Sequence, residues 1–165
     1  MKTSLLFDFT VDRSTSTVFV KREFGAGQSS VWDAFTKQEI LDQWWAPKPW
    51  TSKTRYMNFE TGGRRVYAMC GPAGEEFWSV QEFTAISPIE NFKQISLFAD
   101  KDENINNDMP ASEWNLDFSE EDGVTTVSIS IKHETSTSLE QALKMGFKEG
   151  FTMTLNYLDQ LLTEL

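Results

Sequence analysis

Apolar residues at helical spacing mark the segment from about Thr137 to Leu165 as an amphipathic helix. Two overlapping capping-box signals, Thr137 with Glu140 and Ser138 with Gln141, place its start. The pattern predicts one continuous helix. Its apolar face carries Leu139, Leu143, Gly146, Phe147, Gly150, Thr154, Tyr157, Leu158, Leu161 and Leu165.

Two glycines, Gly146 and Gly150, interrupt the apolar face of this predicted helix. A glycine in a helix interior costs about 1 kcal/mol relative to alanine. An ordinary core helix would fill both positions with larger side chains. The pair therefore indicates either a close backbone approach to another surface or space left open for a ligand.

Alternation of apolar and polar residues predicts extended structure over residues 6–24, as two strands with a turn or as one strand with an irregular lead-in. Two short helices follow. The first is expected to start at Gln28 or Ser29, and the second at Thr36, with Glu39 as its capping-box partner. The prolines after the second helix prevent it from continuing.

The chain from Thr51 to Glu134 alternates like a run of antiparallel strands. Turn signals at Gly62-Gly63 and at residues 71–74 separate the strands, and the polar stretch 100–112 is the longest loop. Strands followed by a terminal helix predict an α+β fold in which the helix covers one face of the sheet. The chain contains no linker and no repeat, so residues 1–165 are expected to form a single domain.

The net charge of −10 argues against nucleic acid and anionic membrane surfaces as partners, because both would repel the protein. The single Cys70 leaves no internal disulfide and no multi-cysteine metal site. No phosphate-binding loop or metal-ligand spacing occurs, so no cofactor and no metal are expected. The N-terminus does not resemble a signal peptide and no stretch is long enough to span a membrane, which predicts a cytoplasmic protein.

Aromatic residues make up 13% of the chain and either fill a core or line a pocket. Trp44 and Trp45 are adjacent, so on a helix their side chains point about 100° apart. One ring could lie in the core and the other at the mouth of a cavity. Four residues of the predicted strands would line one wall of a pocket if their side chains face the helix: Tyr67, Met69, Trp78 and Trp114. Core packing is the alternative for each of these residues.

His133 is the only histidine and continues the apolar stripe of Val127, Ile129 and Ile131. Its ordinary pKa near neutrality would allow general acid–base catalysis. No nucleophile or paired carboxylate accompanies it in the sequence, so a structural role at a strand end is favoured.

Several motifs in order resemble one known family. The stretch Leu41-Asp42-Gln43-Trp44-Trp45-Ala46-Pro47 is followed by the glycine-framed hairpin at 62–74, by the strand break at 86–90, and by the last strand and terminal helix from Gly123. This arrangement is similar to the START/polyketide-cyclase-like (SRPBCC) superfamily, in the branch named after the activator of the heat-shock protein 90 ATPase. The resemblance implies a helix-grip fold, in which a curved antiparallel sheet wraps round a long C-terminal helix, often with a cavity between them. The alternating segments predict six to seven strands for this sheet. Arg65 stands where relatives often carry an aromatic residue, which leaves the polarity of one wall open.

These observations favour a non-enzymatic protein that binds a small apolar or aromatic molecule between sheet and helix. A cyclase- or hydrolase-type enzyme that uses His133 or Tyr67 in the same cavity is the first alternative. A module that binds a chaperone or another protein through its acidic surface is the second. The expected ligand-binding residues are Trp44, Trp45, Tyr67, Met69, Trp78, Trp114, His133, Gly146, Phe147 and Gly150.

Overall fold

A computed structural model describes residues 5–164, which form one antiparallel sheet of eight strands and four helices. The strands are β1 (Phe7–Asp12), β2 (Thr17–Phe24), β3 (Thr51–Met57), β4 (Arg64–Cys70), β5 (Glu76–Ser87), β6 (Asn91–Ala99), β7 (Ser112–Glu121) and β8 (Val124–His133). The helices are α1 (Gln28–Thr36), α2 (Gln38–Trp44), α3 (Ser136–Lys144) and α4 (Phe147–Glu164).

The strands lie in the order β1-β2-β8-β7-β6-β5-β4-β3, and the sheet is curved and not closed into a barrel. The predicted α+β helix-grip fold is confirmed, but the sheet has eight strands instead of six to seven. The difference arises at residues 6–24, where the polar segment after Asp12 turns the chain and Ser16 adopts a left-handed conformation (φ 55°). Strand β1 consequently pairs back on β2, with Val11 opposite Val18.

The concave face of the sheet carries the core. Inward-facing residues of three neighbouring strands are buried at every second position: Val18 and Val20 in β2, Val127, Ile129 and Ile131 in β8, and Trp114, Leu116 and Phe118 in β7. Helix α4 contributes Phe151, Leu155 and Leu158 to the same cluster. The apolar face of α4 therefore packs on the sheet face formed by these alternating residues, as the sequence pattern indicates.

The predicted continuous helix over 137–165 is wrong, because the segment forms two helices. Gly146 separates α3 from α4 and has a φ of +92°, a conformation that ends a right-handed helix. The predicted capping pairs, Thr137 with Glu140 and Ser138 with Gln141, are also wrong. Thr135 has an extended backbone and forms the capping box with Ser138, its Oγ1 accepting from Ser138 N at 3.0 Å and its N donating to Ser138 Oγ at 3.1 Å.

The expected capping role of Thr36 is also wrong. Thr36 is the last residue of α1, and its hydroxyl donates to the Trp32 carbonyl at 2.8 Å. Helix α2 begins two residues later, after Lys37, whose side chain makes no capping bond. No helix within residues 5–164 is both long enough and apolar enough to cross a membrane.

Candidate functional site

Aromatic rings occupy the space between α4 and the concave face of the sheet. The Trp114 ring lies 5.9 Å from Trp45 and 5.7 Å from Phe151, measured between ring centroids. Phe147 stacks on Phe151 at 5.4 Å and meets Trp114 edge-on at 6.3 Å. Such edge-to-face and offset contacts are favourable ring geometries. We call the region formed by Trp45, Trp114, His133, Phe147 and Phe151 the grip site.

Trp44 and Trp45 are both buried, with exposed fractions of 1% and 9%. The Trp44 indole donates to the Ala34 carbonyl at 2.9 Å, so this ring fastens α2 to α1. Trp45 points instead to the sheet, where its indole donates to the Tyr67 hydroxyl at 3.1 Å. The two rings therefore diverge as their helical spacing indicates, and Trp45 is the one that reaches the grip site.

One wall next to the grip site is polar, because Arg65 lies fully buried there. Its guanidinium stacks over the Tyr67 ring at 3.9 Å and also lies 5.7 Å from the Trp45 ring. Three side chains on neighbouring strands accept hydrogen bonds from it: Thr54 at 3.1 Å, Gln81 at 3.4 Å and Ser52 at 3.0 Å. This cluster settles the polarity that the sequence left open.

Asp42, the fifth residue of α2, supplies the negative charge for this cluster. Its Oδ1 lies 3.3 Å from Arg65 Nη2, and the same carboxylate accepts from Ser52 Oγ, Thr54 Oγ1 and Thr54 N. Burial lowers the pKa of Arg65, while Tyr67 and Asp42 oppose that shift. Sequence reasoning missed Asp42 as a site residue, although it lies two positions before Trp44 within the motif that carried the resemblance.

His133 is the last residue of β8 and pairs with Ser112. It faces the same side of the sheet as Ile131, two residues earlier, which pairs with Trp114. Its Nε2 is buried and has no hydrogen-bond partner among the described residues. Desolvation lowers the pKa of His133, so the imidazole is neutral near pH 7. A buried ring nitrogen without a hydrogen-bond partner is uncommon in native proteins, so a bound water or ligand is expected to supply the missing bond.

Tyr67 and Met69 alternate along β4 on the concave face, where Tyr67 is buried and Met69 packs against the core from its rim. Trp78 does not share their wall, so that expectation is wrong. It pairs with Ala68, the residue between them, and neighbouring strand residues point to opposite faces. The Arg55 guanidinium covers the Trp78 ring at 4.2 Å on that other face.

The two glycines have separate explanations. Gly146 lies in the turn between α3 and α4 rather than within a helix. Gly150 is in the first turn of α4, where a Cβ would lie 3.8 Å from Pro47 Cγ, an ordinary contact. Helix α4 thus approaches the segment after α2, which also contacts Tyr157 through a 3.3 Å bond from Lys48 N to the tyrosine hydroxyl.

We expect substitution by alanine to have opposite effects on stability at Gly146 and at Gly150. Gly146→Ala is expected to lower the free energy of unfolding by about 1 kcal/mol, because alanine resists the left-handed conformation. Gly150→Ala is expected to raise it by about 0.5 kcal/mol, because the methyl group fits and the unfolded chain loses freedom. Urea denaturation of the two variants measures both free energies of unfolding. Equal changes at the two positions would contradict the different roles of the two glycines.

Two surface depressions, of about 400 and 470 Å³, are lined by strand and loop residues, and neither includes a residue of α3 or α4. Within residues 5–164 no group of three or more His, Cys, Asp or Glu side chains could hold a metal ion. Cys70 is a free, half-buried thiol at the end of β4.

Comparisons with known proteins agree with this geometry. The crystal structure of protein Ms6760 from Mycobacterium smegmatis is 31% identical, with a TM-score of 0.87 over 96% of this chain and 97% of that one. A solution structure from Staphylococcus epidermidis is 28% identical, with a TM-score of 0.84 and 94% of each chain covered. A protein from Arthrobacter aurescens, 22% identical over 96% of this chain and 92% of its own, shares the fold with a TM-score of 0.89.

No curated protein matches the chain. Residues 26–163 match the family described as Activator of Hsp90 ATPase homolog 1-like protein. The matched segment runs from the start of α1 through nearly all of α4. The chain belongs to this family.

Proposed function

We propose that the protein is a non-enzymatic binding protein that holds a small apolar or aromatic molecule in the grip site, between the sheet and α4. One observation carries the proposal: the buried Nε2 of His133 has no partner among the described residues, and His133 is the next inward-facing residue after Ile131, which pairs with Trp114. An unsatisfied buried polar atom costs about 1–3 kcal/mol, which a ligand hydroxyl could recover. The aromatic rings would hold the apolar body of such a ligand.

The ligand would reach this site by movement of α3. Helix α3 contacts β8 and α4 and contributes the buried Leu139 and the half-buried Leu143 to the core, and the turn at Gly146 separates it from α4. A pivot at this turn would uncover His133 and the edge of Phe147 without unfolding α4. The ligand would then take the place of contacts that the protein makes with its own side chains, so no permanently open cavity is needed.

Binding is favoured over catalysis by the surroundings of the two candidate proton-transfer groups. The Tyr67 hydroxyl already accepts from the Trp45 indole, and the Tyr67 ring lies against the Arg65 guanidinium. His133 Nε2 has no hydrogen-bond partner among the described residues that would orient the ring. Neither group therefore has the oriented partner that general acid–base catalysis uses.

A titration with 1-naphthol, a flat apolar molecule with one hydroxyl, tests the proposal. We expect the parent protein to bind it and His133→Phe to bind it about tenfold more weakly, because the variant keeps a planar ring but lacks the nitrogen. Isothermal titration calorimetry gives the affinities, and chemical-shift changes in the Trp45 and Trp114 indole signals locate the ligand.

The matched control is Trp78→Phe, which alters a tryptophan on the opposite face and should leave naphthol affinity unchanged. Equal affinities of the parent and His133→Phe would refute the role of the histidine. Saturation with no change at either Trp45 or Trp114 would refute the grip site itself.

A further inference from the structure

One row of the concave face contains a buried glutamine among apolar residues. The row crosses four neighbouring strands through directly paired residues: Ile131, Trp114, Gln94 and Phe83. Directly paired residues of antiparallel strands have their side chains on the same face, with Cβ atoms about 4.5–5.5 Å apart. Gln94 therefore lies on the concave face beside Trp114 of the grip site, and it is only 4% exposed.

The side-chain amide of Gln94 makes no hydrogen bond with any residue in the described range 5–164. An amide carries both N–H donors and an acceptor oxygen, so both functions are unused here. Within the same range, the unpartnered polar side-chain atoms that are fully enclosed are Trp78 Nε1 and His133 Nε2. The residual exposure of Gln94 therefore includes its amide atoms, which border a gap and not only packed neighbours.

A second buried glutamine on the same face has a structural role that Gln94 lacks. Gln81 pairs with Ser96, two residues after Gln94, so the two glutamines are diagonal neighbours on adjacent strands. Gln81 Oε1 accepts from Arg65 Nη1 at 3.4 Å and thus belongs to the charged cluster. The residue paired with Gln94 on β5 is Phe83, which offers no hydrogen bond. Because a buried amide without bonds destabilises the fold, packing alone does not account for this glutamine.

The surroundings of Gln94 favour a flat, neutral ligand. The Trp114 indole already donates to Ser112 Oγ at 3.0 Å, so Trp114 offers a ligand its ring and no further donor. The Trp45 ring lies 5.9 Å from Trp114 and extends the aromatic surface. The buried charge of Arg65 is paired with Asp42, so it does not favour an ionic ligand. The groups that remain for recognition are aromatic rings and one neutral amide.

We propose that Gln94 selects a flat heterocyclic lactam, a ring with adjacent N–H and C=O groups, as the ligand of the grip site. The lactam N–H donates to Gln94 Oε1, and the lactam oxygen accepts from Gln94 Nε2. The ring of the lactam lies against Trp114. Two such amide edges match each other, because each supplies one donor and one acceptor. This inference rests on the proposed function, since it specifies the class of ligand that the same site takes.

The test compares 2-quinolone, a bicyclic lactam, with 2-naphthol, which has the same two-ring shape but no lactam edge. We expect the parent to bind 2-quinolone about tenfold more tightly, because only this compound makes both amide bonds. Gln94→Met keeps the length of the side chain but has no amide, so it should bind the two compounds equally. Isothermal titration calorimetry gives the affinities. The Trp114 indole signal in NMR spectra should move with both compounds and locates them in the grip site.

The matched control is Gln38→Met, because Gln38 is exposed in α2 and this variant should keep the preference of the parent. Gln94→Leu repeats the test with a second apolar side chain if Gln94→Met is poorly folded. A tenfold preference that persists in either Gln94 variant would overturn the proposal. Equal affinities of the parent for the two compounds, with a moving Trp114 signal, would overturn the lactam preference and leave the proposed function intact. Binding of neither compound would overturn both.

Discussion

Asp42→Ala is expected to lower the free energy of unfolding by about 3 kcal/mol, because it leaves the fully buried Arg65 without its counter-charge. Breaking a buried ion pair typically costs about 3–5 kcal/mol. The lower end applies here, since the Asp42 side chain is 27% exposed and water can partly replace it. The substitution also removes the acceptor for Ser52 and Thr54.

The control for this prediction is Asp33→Ala, which removes an exposed ion pair with Lys37 at 3.5 Å. An exposed pair of this spacing contributes at most about 0.5 kcal/mol. Asp42→Asn separates the loss of the charge from the loss of the hydrogen bonds, because asparagine keeps an acceptor for the Ser52 and Thr54 hydroxyls but is neutral. Urea denaturation gives all three values. A loss at Asp42 no larger than that at Asp33 would show that Arg65 does not need this carboxylate.

Phe151→Ala is expected to cost about 3–4 kcal/mol and to open an apolar cavity in the grip site. The ring is 7% exposed and touches Trp45, Trp114 and Phe147, so its removal leaves a space bounded by other rings. A cavity of this kind stays dry and accepts an apolar guest. Benzene should therefore stabilise the variant but not the parent.

Mass action sets the size of that rescue. At a free benzene concentration one hundred times its dissociation constant, the variant should regain about 2.7 kcal/mol. Met153→Ala is the matched control on the same helix, because Met153 is 40% exposed and its truncation leaves no cavity. Thermal unfolding with and without benzene measures the difference. Equal benzene responses in the parent and in Phe151→Ala would mean that the space collapses or that it is already open in the parent.

The sequence was informative about the fold because local periodicity and the tertiary core agree. Residues such as Val127, Ile129 and Ile131 are buried on one face as their alternation predicts. The break at Gly146 was missed because the apolar spacing of 3.6 residues continues on both sides of it. Only the positive φ of that glycine shows that the helix ends there.

The site was less readable, because a strand pattern does not say which face looks inward. Tyr67 and Trp114 lie on the concave face, whereas Trp78 lies on the other, since the pairing of β4 with β5 places it opposite Ala68. The importance of Asp42 depends on its approach to Arg65, 23 positions away in the chain, which local sequence cannot reveal. The buried ring nitrogens of His133 and Trp78, which have no partner in the part of the chain that the structure describes, are likewise visible only in three dimensions.

The pairing of β2 with β8 has a consequence for how the chain folds. From β3 to β8, each strand pairs with the next one along the chain, so these contacts close short loops. Val18 pairs with Ile131, however, more than a hundred residues away. Closing such a loop costs more entropy and slows folding. We therefore expect the β3–β8 meander to form before the β1–β2 hairpin completes the sheet by pairing with β8.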